Sequence, residues 1–400
     1  MKKISLVLAS LIVIGVMASC GGGGNVMKMT VKTDKEVSFQ IAGTGEATID
    51  WGDGSPVDLV TFPDDRTIQC SHKYSDAIEY VIKLTGNNIT QLKCRRGMGL
   101  TGLDLGNTST LTVLECPSNK ELTNLDVSKH TALKKLDCGW NRLTGLDVSN
   151  NIALIELDCA NNDEITALDV SKNTALTDLA CGANKLTSLD VSNNIALTSL
   201  ECNQNGITAL DVSKLTALTY LRCFSNKIKV LDVSNSPALK TLYCNINEIS
   251  SLDLSKNTAL THLAVSYNPL TGLDVSNNTA LKELDCDSNQ LTDLDLSKNK
   301  ALELVICLRN QLATLDLSNN PALKTLNAYQ NQLTSLDVSK NPALTYVSCA
   351  SNQMPAAALN AMMASLHNND VSKKEFDMKN NPGTAASDTS IAEKKGWTIK

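Results

Sequence analysis

Apolar residues return along this chain on a fixed schedule. From Leu133 the sequence reads L-K-K-L-D-C-G-W-N-R-L-T-G-L-D-V-S-N-N-I-A, with apolar side chains at Leu133, Leu136, Cys138, Leu143, Leu146 and Val148. The unit opens at Ile89, Leu111, Leu133, Leu154, Leu176, Leu197, Leu218, Leu239, Leu260, Leu281, Leu302, Leu323 and Leu344, at intervals of 21 or 22 residues. A period of this size predicts a solenoid, because one unit buries its apolar side only against its neighbours.

Side chains alternate in an extended chain, so Leu136 and Cys138 point inward and Asp137 outward. The chain must then turn at Asn141, whose amide can satisfy backbone groups of the bend; the slot runs from Asn119 to Asn352. The second half, Leu143-x-x-Leu146-x-Val148-x-x-Asn151, repeats the first. Two strand-like edges per coil are therefore expected, with no room for a helix between them. Coils stacked at about 4.8 Å, thirteen in all, predict a rod on the order of 60 Å long. The spelling L-x-x-L-x-(L/C)-x-x-N-x-L resembles the leucine-rich repeat family over residues 89–352. The expected fold is thus a mainly β leucine-rich-repeat solenoid of about thirteen coils, capped at both ends.

Eleven of the thirteen cysteines share one inward slot, from Cys94 to Cys349. Val265 and Ala328 fill it in two coils, so it takes a small apolar group and its thiols are expected to be inert. The four histidines share no column, and no metal or cofactor is expected.

Before the array the alternation shortens to strands at 37–41, 47–51 and 80–84 with Gly and Asp-Gly turns between. Trp51-Gly52-Asp53-Gly54-Ser55 followed by His72-x-Tyr74 resembles the polycystic-kidney-disease-type β-sandwich, which implies a spacer or cap over residues 29–88. Cys70 lies outside the array, and a bridge to Cys94 is left open. At the start, Lys2-Lys3, an apolar run from Ile4 to Met17 and Ala18-Ser19-Cys20 predict a secretory leader over 1–20. Met17-Ala18-Ser19-Cys20 resembles the bacterial lipoprotein processing box, which implies lipid on Cys20. Residues 21–28 open with four glycines and read as a tether. Past Asn352, Pro355 to His367 predicts a helix, Phe376-Asp377-Met378 another coil strand, Ser387 to Lys395 a short helix and 397–399 a last strand. This 353–400 ending resembles the cap of secreted leucine-rich-repeat lipoproteins of the Bacteroides group. Trp397 is expected in the core.

Charge adds a division between the two halves of the coil. An outward row of aspartates runs through the second half from Asp104 to Asp337, and three places on, Lys and Asn alternate from Lys129 to Lys340. Neighbouring carboxylates about 4–5 Å apart repel by about 1 kcal/mol in water, so something must offset them. Backbone N–H groups in the turn are one answer; Ca²⁺ held by D-V-S-x-N is the other, although the Gly and the Glu of a calcium loop are lacking. The first half varies instead. All seven aromatics of the array, Trp140, Tyr220, Phe224, Tyr243, Tyr267, Tyr329 and Tyr346, fall on its outward slots. With Arg222 and Arg309 they form the expected binding residues, since such side chains are enriched where proteins touch. Scattered aromatics on drifting repeats remain the alternative.

The net charge of −6 over 400 residues and the lack of a basic stripe argue against nucleic acid. No nucleophile–base pairing or phosphate loop is present, and a rod offers no deep pocket for an enzyme. The expected function is recognition or adhesion at a cell envelope, by an outer-membrane lipoprotein binding a protein or glycan as a monomer. A passive spacer and a Ca²⁺-stabilised array are the alternatives.

Overall fold

A computed structural model describes residues 25–400 except 65, 95 and 372, so the leader, Cys20 and the four glycines after it lie outside the described residues. Eight strands open the fold: β1 (Val26–Thr33), β2 (Glu36–Gly43), β3 (Gly45–Asp50), β4 (Asp58–Phe62), β5 (Ile68–Lys73), β6 (Ile78–Thr85), β7 (Ile89–Cys94) and β8 (Leu100–Asp104). Twelve three-residue strands follow, from β9 (Val113–Glu115) to β20 (Tyr346–Ser348). The end is built from α1 (Ala356–Ser365), β21 (Lys374–Asp377), a 3-10 turn at Thr384–Ala386, α2 (Ser390–Glu393) and β22 (Trp397–Ile399).

Two sheets carry the chain. The first is antiparallel, in the order β4-β3-β6-β1-β8. In the second, β5, β2 and β7 pair antiparallel, then β7 pairs in parallel with β9 and each strand with the next as far as β22. Counting from β7, this makes fifteen turns: the thirteen expected and two from the end cap. The first coil belongs to both sheets, with β7 on one and β8 on the other. The opening strands therefore continue the solenoid's core and close its first face.

Inside a coil the six expected apolar positions, such as Leu133, Leu136, Cys138, Leu143, Leu146 and Val148, are all buried. At roughly 1.5–3 kcal/mol for each large aliphatic, each coil adds of the order of 10 kcal/mol, before the opposing chain entropy. Among the described residues the array contains no helix.

Past the first coil, where it is β8, the second half of the coil departs from expectation: it is not a strand. On the strand side, successive N–H groups reach the neighbouring coil, from Cys138 to Asp158 O and from Trp140 to Ala160 O, both at 2.8 Å. Beyond the bend, Arg142 still donates to Leu122 O at 3.0 Å, but Ser149 donates to its own coil's Asp147 Oδ1 and Asn151 to Val148 O. Donors taken locally cannot continue a ladder.

Asparagines replace it. Asn141 Nδ2 donates to Cys116 O and Cys138 O at 3.1 and 2.8 Å, while its Oδ1 accepts from Asn119 N. A second column lies under the other half, where Asn151 Nδ2 donates to Val127 O and His130 O at 2.9 Å each. Thr108, His130, Leu215 and Ser236 stand in that column where the other coils hold Asn.

The array cysteines are buried and free, as are Val265 and Ala328 in the same slot buried. Burial pushes the Cys159 and Cys202 thiols up to about 12, so they do not ionise. Cys70 and Cys94 do not bridge. Both register against Phe39, on opposite sides of β2, which places them about two strand spacings, roughly 10 Å, apart. A disulfide needs Cα atoms within about 7 Å.

In the opening sheets, the Trp51 indole donates to Asp58 at 2.8 Å and stacks on His72, and Tyr74 Oη donates to Trp51 O at 2.7 Å. Asp53 lies 2.6 Å from His72 and accepts Ser55 N–H, so the Asp-Gly turn is held by its own neighbours. At the far end Pro355 caps α1 from outside, one place earlier than a first-turn position. Trp397 is buried, its indole donating to His367 O at 2.9 Å.

Candidate functional site

Each three-residue strand buries its middle residue and, apart from the buried Ser348 of β20, leaves the two flanking ones at the surface, as in Tyr220-Leu221-Arg222. In-register pairing stacks these into rows: Ser199, Tyr220 and Thr241 in one, and Glu201, Arg222 and Tyr243 in the next. Neighbours in a row are one strand spacing apart, about 4.8 Å. Short strands therefore make a continuous outward face.

Its first part is acidic. A trough of about 240 Å³ is bordered by Lys135, Asp137, Glu156, Asp158, Asp178 and Glu201. Lys135 reaches Glu156 at 2.8 Å and Glu115 at 3.7 Å. Burial, then the neighbouring Asp158, raise the Asp137 carboxyl to about 6, and burial likewise raises Asp158. Among the described residues no group of three or more His, Cys, Asp or Glu is placed to hold a metal ion.

The middle part is aromatic. Tyr220 and Tyr243 meet edge to face with ring centroids 6.4 Å apart. Arg222 donates to Glu201 at 3.1 Å and lays its guanidinium 5.1 Å from the Phe224 ring. Its charge is thus matched within the fold, and it acts as a brace between carboxylate and ring. Tyr267 accepts a hydrogen bond from Arg309 Nη1 at 3.0 Å, across two coils.

The nine residues singled out by the sequence all reach the surface, exposed or half-buried, but they do not form one patch. Tyr220, Arg222, Phe224 and Tyr243 cluster. Tyr267 and Arg309 pair beyond them. Tyr329 lies four coils past Tyr243, roughly 19 Å, and Tyr346 stands beside Glu375 of the cap strand. Trp140 lies four coils before Tyr220, with the Arg96 guanidinium 5.9 Å over its ring.

One column escaped the sequence reading. The residue just before each ladder asparagine is left-handed, at φ 59° in Trp140, 56° in Ile246, 54° in Tyr267 and 51° in Arg309. Most coils put Ser, Gln, Ala or Asn there. Left-handed backbone costs roughly 1–2 kcal/mol for an ordinary residue, and most for a β-branched one. Ile246 is also 48% exposed and Trp140 52%, so neither packing nor backbone explains their size. Spelling alone could have found them: they are the large residues in a column of small polar ones. Ile246 adjoins Tyr267 in that column and follows Tyr243 in its own coil, which joins the aromatic cluster to the Tyr267–Arg309 pair.

No protein-family model matches the chain, and no curated protein does. Among solved structures it is similar to the functional domain of InlJ from Listeria monocytogenes, which includes a cysteine ladder. The identity is 37% and the TM-score 0.68, over 73% of this chain and 65% of that one. This chain thus spans just under two thirds of the InlJ chain. A leucine-rich repeat protein of Leptospira interrogans matches at 23% identity and TM-score 0.62, over 73% of this chain and 84% of that one. An internalin of Listeria monocytogenes matches at 20% and 0.61, over 78% and 86%. The last two bear on the fold alone. The fold is a leucine-rich-repeat solenoid.

Proposed function

We propose that this leucine-rich-repeat solenoid is a recognition protein of a bacterial cell envelope, without catalytic activity, that binds a protein partner along its strand face. The observation that carries this is the gathering of Tyr220, Phe224, Tyr243, Ile246 and Tyr267 on one stretch of the outward face, two of them on left-handed backbone. Large rings braced by their neighbours lose little freedom on contact, which is how anchors of protein interfaces work. The opposite half of the coil, with its Asp-x-Ser turns, carries none of the array's aromatics. The similarity to the InlJ domain supports the solenoid on which this reading rests.

In this reading Cys20 carries the lipid, the glycines hold the body off an outer membrane, and one copy acts alone. Strand residues 29–88 serve as spacer and cap. The test compares capture of envelope or host proteins by the wild type and by a Tyr220→Ala, Tyr243→Ala, Ile246→Asn variant. The variant should retain its fold by circular dichroism and lose the captured partner. Equal capture by both would reject the strand face as the contact and favour the passive spacer. Radiolabelled lipid entering the wild type but not Cys20→Ala would test the anchor separately.

A further inference from the structure

The slot before the ladder asparagines, which Arg96 fills in the first coil ahead of Gly97, contains one arrangement twice. Arg96, Ser118 and Trp140 follow one another in successive coils at its start; Tyr267, Ser288 and Arg309 do so further on, in reverse order. In each, a small serine separates an arginine from an aromatic ring two coils away, and the arginine crosses the gap to it. Arg96 lies 5.9 Å over the Trp140 ring and donates from Nε to Ser118 Oγ at 2.9 Å. Arg309 donates to the Tyr267 hydroxyl at 3.0 Å.

Neither guanidinium has a carboxylate within 4 Å among the described residues, unlike Arg222, which is held by Glu201. At the first clip Lys120 adds positive charge and Glu121 negative, around a trough of about 510 Å³ floored by Gly97 and Gly99. Gly99 is required there, because a Cβ would stand 2.7 Å from Lys32 O on backbone at φ +73°. At the second, Asp287 is the nearby acid, and its carboxylate is engaged by the Ser288 hydroxyl at 2.7 Å. Trp140 and Tyr267 are six coils apart, about 29 Å at one strand spacing per coil.

We propose that the two clips are a bivalent site for a carboxylated polysaccharide. A sugar ring lies against each aromatic face, and its carboxylate pairs with the unmatched guanidinium. The same pairing offered twice along one column fits a ligand that repeats its own chemistry, as a uronate polymer does. A folded protein surface has no reason to present one group twice at that interval. Arginine suits the task because its planar fork meets a carboxylate with two parallel bonds. Linking the two contacts through one chain multiplies the affinity without any new contact. The proposal goes beyond the protein-recognition reading: it shares Tyr267 with that surface and leaves out Tyr220 and Tyr243.

The molecule has a built-in reporter, for Trp51 and Trp397 are buried and Trp140 alone of the three tryptophans is exposed. Acrylamide quenching should be measured on the full chain with polygalacturonate, free galacturonate and neutral dextran. Polygalacturonate is expected to shield Trp140 at concentrations at least tenfold below free galacturonate, and dextran to leave it open. Arg96→Ala and Arg309→Ala should each weaken polymer binding about tenfold or more by calorimetry, and the double variant should abolish it. A Tyr220→Ala, Tyr243→Ala variant, which leaves Ile246 and both clips intact, should bind the polymer as the wild type does, which separates the two sites. Shielding by dextran equal to that by polygalacturonate would overturn the assignment of charge. No shielding by either polymer, or loss of protein capture rather than polymer binding in the arginine variants, would overturn the site.

Discussion

Asp137 and Asp147 sit ten residues apart in one coil and make the same local bond, yet they answer pH in opposite ways. Asp137 Oδ1 accepts Gly139 N–H at 3.2 Å and Asp147 Oδ1 accepts Ser149 N–H at 2.9 Å. On the strand face the next row member is Asp158, in register, and water is half excluded, so the Asp137 carboxyl is raised to about 6. On the other half the Ser149 hydroxyl and N–H lower Asp147, outweighing repulsion from Asp169 and Asp126. The eleven turns from Asp126 to Asp337 repeat that N–H bond. One half of the coil thus uses carboxylates to close its turns, while the other keeps several at a cost. On the strand face burial works against the charges of Asp137, Asp158 and Asp285.

The two asparagine columns test the comparison with the largest expected effect. Asn162 donates to Cys138 O and Cys159 O and accepts from Leu143 N, three bonds under the strand face. Asn173 donates to Val148 O and Asn151 O, and its Oδ1 has no partner in the fold. Asn162→Ala should destabilise by about 3–5 kcal/mol and Asn173→Ala by about 1 kcal/mol less, measured by urea unfolding. Equal losses would mean that the halves are held alike.

Next come the carboxylates. A raised folded pKa means that the fold binds the proton more tightly than the unfolded chain. Stability from Asp137 is therefore present below about pH 4 and lost as pH rises to about 6. Asp137→Asn should stabilise the protein by about 1–2 kcal/mol at pH 7.5 and by almost nothing at pH 4. Asp147 runs the other way: its stabilisation is present above the ordinary aspartate range and is lost as pH falls through its lowered pKa. Asp147→Asn should lower the melting temperature at pH 7.5 and have no effect in strong acid. Thermal melts from pH 3 to 8 check both signs.

The smallest expected effect concerns calcium. With every Asp of the row from Asp126 to Asp337 already accepting a turn N–H, melts in chelator and in excess Ca²⁺ should coincide. A rise of several degrees with Ca²⁺ would restore the calcium-stabilised array as the better account of the row.

Much of this architecture was legible in the spelling. A 21-residue period specifies which six side chains of a coil turn inward, and Val265 and Ala328 showed that the cysteine slot is a packing position. Phe376 and Trp397 likewise marked the two rungs of the cap. The second half of the coil misled, because Leu146-x-Val148 alternates like a strand while the Asp147 and Val148 acceptors capture the N–H groups a ladder needs. That competition is invisible to an apolar pattern, which records burial and not the fate of donors. The binding residues were legible one at a time, but their grouping was not.

What the sequence determined by itself was the rung: its length, its inward set, its asparagine bend and the uniformity of one half against the other. These follow from local sterics and from burial of apolar groups, which act within one repeat. Only the stacked fold decided that Asp137 lies against Asp158, that Arg96 crosses Ser118 to Trp140, and that Phe39 parts Cys70 from Cys94. Such contacts depend on register between rungs, and register is set by backbone bonds that every side chain at the surface shares and none of them spells.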